Sequence, residues 1–72
     1  MTYHEWIREC YAVGERFTIR QAIADITARH PNATPLIPNV YRALKQCERY
    51  GIVREAGKTD EHHRRVIWER IL

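Results

Sequence analysis

The stretch VYRALKQCERYGIV, Val40 to Val53, constrains the fold of this chain more than any other. Val40, Ala43, Leu44 and Cys47 recur at i, i+3, i+4 and i+7, the spacing of one buried helix stripe. Gly51 then supplies a residue that enters the left-handed region without cost and so ends a helix. Ile52 and Val53 start a β-prone run immediately behind it. A helix that turns into a strand across a single glycine must be met by another strand close by. IVREAGK and RRVIWERI, separated by the polar TDEHH, read as the two arms of an antiparallel hairpin. The apolar run Val66, Ile67, Trp68 breaks strict alternation, so which of the three points inward is left open.

Upstream, Tyr3, Trp6, Ile7, Cys10 and Tyr11 fall at helical spacing, and Gly14 is expected to stop that first helix. Thr18 with Gln21 three residues on forms a capping box, in which hydroxyl and amide satisfy early backbone donors reciprocally. Ile19, Ile23 and Ile26 continue from it as the stripe of a second helix, and Phe17 with Ile19 can add a short extended pair at its start. All three prolines lie in HPNATPLIPN. A proline in a helix interior costs roughly 3 kcal/mol, so helix 2 ends near His30 and the third helix starts around Pro38 after an irregular turn through Leu36. The expected fold is mainly α with a small β-hairpin: three helices plus a C-terminal two-stranded hairpin, in one domain covering residues 1–72, with a short strand allowed before helix 2.

Seventy-two residues, 44% of them hydrophobic, allow one small core and little more. Two cysteines without a C-x-x-C pair do not make a disulfide scaffold. Both fall on apolar stripes and read as reduced core thiols, although a single bridge between them is not excluded by sequence. Glu5 and Glu9 interrupt the N-terminal segment, so it does not read as a signal peptide, and no apolar run reaches membrane-spanning length. The expectation is a soluble, cytoplasmic protein. The formal net charge is +3, and it is unevenly placed. Residues 1–30 are balanced, whereas Arg42, Lys45, Arg49, Arg54, Lys58, Arg64 and Arg65 outnumber the acids of residues 31–65.

VYRALKQCERYGIVRE followed by RRVIWE resembles the recognition helix and wing of winged helix-turn-helix transcription regulators. The resemblance lies in Val40, the polar pair Tyr41–Arg42, Ala43, Leu44, the polar pair Lys45–Gln46, Cys47, and the close Gly51–Ile52–Val53. Residues 28–55, with HPN, VYRAL and GIV, are similar in particular to the DNA-binding half of the ferric uptake regulator family. The likeness stops at that half, so neither metal sensing nor that family's dimerisation is carried over. It implies a winged-helix fold and a double-stranded DNA partner, with the third helix in the major groove and the hairpin on the backbone.

The major groove admits an α-helix and shows each base pair as a distinct pattern of donors and acceptors. Asn39, Tyr41, Arg42, Lys45 and Gln46 are the candidate groove readers. Arg49 further along, and Lys58, Arg64 and Arg65 on the hairpin, are candidates for phosphate. Each has a plainer explanation as a solvated basic surface, and Asp60 and Glu61 at the hairpin tip weaken the wing's case. Trp6, Tyr11 and Trp68 suit either the core, with Trp6 on Trp68, or the surface of a homodimer that reads a palindrome. Adjacent His62 and His63 point to opposite faces of a hairpin and do not share a metal. No nucleotide fingerprint or nucleophile motif occurs, so no cofactor, metal, small-molecule substrate or enzyme activity is expected. Two other readings stand beside DNA binding: a winged-helix protein-interaction module or subunit, and RNA binding with Tyr41 stacked on an unpaired base.

Overall fold

The computed structural model describes residues 2–59 and 65–72. Among them the chain forms three α-helices and a three-stranded antiparallel sheet, a mixed α/β arrangement. Helix α1 (Tyr3–Cys10) is opened by Thr2, whose hydroxyl accepts from the Glu5 amide at 3.4 Å. Glu5 itself sits where the helix dipole favours an acid. The helix ends at Cys10, earlier than Gly14 suggests. Tyr11 is extended because its ring is drawn inward, stacked on Phe17 at 3.9 Å, while its hydroxyl donates to Asp25 at 2.6 Å. Gly14, at φ +93°, instead serves the turn that follows, where the Glu15 amide donates to Ala12.

Strand β1 is only Arg16–Phe17. Helix α2 (Ile19–Arg29) follows with its capping box formed on both sides. Gln21 N donates to the Thr18 hydroxyl at 3.3 Å, and Thr18 N donates to the Gln21 amide oxygen at 2.9 Å. His30 ends the helix and a 3-10 turn (Pro31–Ala33) leads to Thr34 in the left-handed region. Helix α3 (Ile37–Arg49) starts one residue before Pro38, which falls in the first turn where a missing N–H costs nothing. No side chain caps this end.

The stripe Val40, Ala43, Leu44 and Cys47 is buried as its spacing requires. Gly51, at φ +75°, closes α3 in a Schellman motif: the Gly51 amide donates to Glu48 and the Ile52 amide donates to Cys47. Ile52 and Cys47, the two positions that such motifs bring together, are both members of the buried core.

Strands β2 (Val53–Lys58) and β3 (Val66–Arg70) form the hairpin, with β1 added on the far side of β3, giving the order β1-β3-β2. The sheet therefore differs from the expected two-stranded unit. Arg16 pairs with Glu69 and Phe17 with Trp68, and the second pair lies in the core. A bulge at Ala56, between the pairs Glu55–Trp68 and Gly57–Ile67, shifts the register of β2. Trp68 is the inward residue of the ambiguous run, and Val66 packs beside it on the same face.

Ile7, Phe17, Ala22, Val40, Leu44, Val53 and Trp68 bring all three helices and the three strands into one cluster. Trp6 does not reach Trp68. It stacks on His30 at 4.8 Å and meets Tyr3 edge-on at 5.1 Å. Trp68 and Tyr11 are buried, so neither supplies a dimer surface. Both cysteines are free; Cys47 is sealed in the core, and burial pushes its thiol up to about 11. Arg70 turns inward and donates to the carbonyls of Arg8 and Tyr11, tying β3 to the C-terminal end of α1. No helix among the described residues is long and apolar enough to cross a membrane.

Candidate nucleic-acid interface

The buried stripe of α3 determines what its outer surface carries. With 3.6 residues per turn, Arg42 and Arg49 lie two turns apart on the side opposite Val40 and Cys47. Lys45 flanks them on one side and Gln46 on the other, with Asn39 two turns before Gln46. Asn39, Tyr41, Arg42, Lys45, Gln46 and Arg49 are all exposed. The structure thus brings the six helix candidates onto one solvent-facing surface.

Their electrostatics differ. Arg42 and Arg49 have no ion pair among the described residues. Lys45 is held by two carboxylates, Glu48 at 2.9 Å one turn on and Glu55 at 3.8 Å on β2. The hydrogen bond and charge of Glu48 keep the Lys45 ammonium above its ordinary value. The positive surface from α3 to the hairpin is therefore interrupted at Lys45.

On the hairpin, Lys58 is exposed at the end of β2, without an ion pair among the described residues and in register with Val66. Arg65 is half-buried; its amide donates to the Thr59 hydroxyl at 3.1 Å, and the Thr59 amide donates to the Arg65 carbonyl at 2.9 Å. This exchange closes the base of the hairpin tip. Arg64 lies outside the described residues, as do Asp60, Glu61, His62 and His63. Arg54 and Arg16 belong to a different unit. They reach Glu69 from the two neighbouring strands, at 2.9 Å and 3.1 Å. Partial desolvation pushes the Glu69 carboxyl up, but the hydrogen bonds and charges of both arginines outweigh it and hold it below the usual glutamate range.

A shallow groove of about 310 Å³ runs between α3 and the start of α1, lined by Arg42, Asn39 and Gln46 on one side and Thr2, Tyr3 and His4 on the other. The His4 ring meets Tyr50 edge-on at 6.3 Å, and its Nε2 is buried without a hydrogen-bond partner among the described residues. Two features beside the candidates were not visible as a site in the sequence. Arg20 is exposed on α2 and unpaired among the described residues. Beside it, Ile23, Ala24, Pro35, Leu36 and Ile37 line a larger groove of about 570 Å³ against the first turn of α3. The signal available was the pair Leu36–Ile37 between two prolines, which falls outside the stripe that begins at Val40.

No group of three or more His, Cys, Asp or Glu residues with metal-binding geometry occurs among the described residues. Comparison with protein-family models, curated proteins and solved structures gives no match.

Proposed function

We propose that this chain is a winged-helix module that binds double-stranded DNA, inserting α3 in the major groove and laying the hairpin along the adjacent backbone, in the service of transcription control. The observation that carries the reading is the outer surface of α3. It presents two guanidiniums, Arg42 and Arg49, without an ion pair among the described residues, with the amides of Asn39 and Gln46 alongside. Arginine pairs bidentately with guanine and asparagine or glutamine with adenine, so these are the side-chain types that direct readout uses. Lys58 adds a phosphate contact on the hairpin; Arg65 bonds to the adjacent Thr59 across the two strands, and Arg64 precedes it in sequence. The third strand, β1, lies on the outer side of β3, away from β2. A homodimer on a palindromic site would double the footprint.

The test is titration of the full chain with a labelled random-sequence duplex pool at several salt concentrations. With Arg20, Arg49 and Lys58 on phosphates, log affinity falls with log salt at a slope of about −2.7. Substituting Arg42 and Arg49 with Ala weakens binding, and the loss of Arg49 flattens that slope. No binding at low salt refutes the proposal.

A second reading, a winged-helix protein-interaction module, is favoured by a specific observation. Lys45 is tied to two acids, and the apolar groove beside Leu36 and Ile37 adjoins the first turn of α3. Retention of a folded partner by a chain that ignores duplex DNA would select it.

A further inference from the structure

The first turn of α3 carries exposed apolar side chains where a solvated helix would carry polar ones. Leu36 is 61% exposed and Ile37 48% exposed, and Tyr41, one turn on from Ile37, is 49% exposed. Single exposed hydrophobes are ordinary. These three are not single: Leu36 and Ile37 also form one wall of the groove whose other wall is Ile23 and Ala24 of α2. A contiguous apolar patch of this kind marks a surface that is covered in use.

Its charge complement says by what. The groove contains one charged residue, Arg20 at its rim, and no carboxylate. Arg42 stands on the next turn of α3 beside Tyr41, and neither arginine has an ion pair among the described residues. The occupant is therefore a polyanion that offers small apolar protrusions between its charges. In the major groove of DNA one base-edge group fits that description, the C5 methyl of thymine, set between two rows of phosphates.

We propose that the apolar end of α3, through Leu36, Ile37 and Tyr41, packs on thymine methyl groups while Arg20 holds a neighbouring phosphate, so that the preferred sites contain thymine at fixed positions. This inference rests on the DNA-binding reading above. It assigns a specificity element that is separate from the hydrogen-bonding side chains Asn39, Arg42 and Gln46.

The experiment selects tight sites for the full chain from a random duplex pool and then replaces each thymidine of those sites by deoxyuridine. The exchange keeps the base pair and the phosphates and removes only the methyl. Burying one methyl is worth about fourfold in affinity, so each contacted position loses about that factor on replacement. The Leu36→Ala and Ile37→Ala variants, changed at exposed positions and checked for folding by circular dichroism, bind thymidine and deoxyuridine sites equally. Tight binding by the unaltered chain that ignores the exchange overturns the inference and leaves DNA binding standing. Failure to bind any duplex overturns both, and turns the groove toward an apolar, acidic protein segment.

Discussion

Lys45 offers the sharpest test of how the basic surface is used. Its ammonium lies 2.9 Å from Glu48 and 3.8 Å from Glu55, so as it stands it is neutralised locally by two carboxylates. The perturbation is the double substitution Glu48→Gln with Glu55→Gln, which keeps both side-chain shapes and frees the lysine. Neither glutamate is in the buried core, so the fold tolerates the exchange. If Arg20, Arg49 and Lys58 are the cations on phosphate, raising salt from 50 to 200 mM costs about 40-fold in affinity. One more free cation steepens the slope from about −2.7 to about −3.6, and the same change then costs about 150-fold. At the lower salt the variant also binds more tightly. The assay is fluorescence anisotropy of a labelled duplex over that salt range. An unchanged slope with unchanged low-salt affinity refutes the reasoning, because it would mean that Lys45 does not face the phosphates.

Replacing Gly51 with Ala should destabilise the chain by about 1 kcal/mol, the ordinary cost of a left-handed residue. Nothing lies within 4 Å of the added Cβ, so urea denaturation should show that loss and no clash on top of it. Thr18→Ala removes one half of the α2 capping box and should cost about 1 kcal/mol, read as a lower urea midpoint. Glu69 is held below the usual glutamate range by Arg16 and Arg54, so its contribution is complete above that range. It is lost as the pH falls through the lowered folded value. In Glu69→Gln the urea midpoint should therefore fall less steeply with acid than in the unaltered chain, and superimposable acid profiles would refute the assignment.

What was readable from sequence follows the range of the interactions involved. The stripe Val40, Ala43, Leu44, Cys47 and the Thr18–Gln21 box are local, and their spacing alone carries them. The hairpin was readable because β2 and β3 each have five or six residues and flank a polar tip. Strand β1 was faint, since two residues show no period; it exists through pairing with Glu69 and Trp68, more than fifty positions away. Gly14 misled because the inward pull on Tyr11, set by Phe17 and Asp25, ends α1 before the glycine is reached. At the candidate surface, periodicity placed the exposed side chains of α3 but not their partners. That Glu55 of β2 comes to Lys45, and that Ile23 of α2 comes to face Leu36, are products of packing between elements.

The residue after Gly51 has a mechanical consequence. Ile52 donates its amide to the last turn of α3, buries its side chain beside Cys47, and accepts at its carbonyl the amides of Ile71 and Leu72. One residue thus joins the end of the outward helix to the end of the last strand. A force on residues 71–72 reaches α3 in a single step, without crossing the core. Whatever is joined to or bound at that end of the chain holds a short lever on the tilt of the surface that would meet DNA.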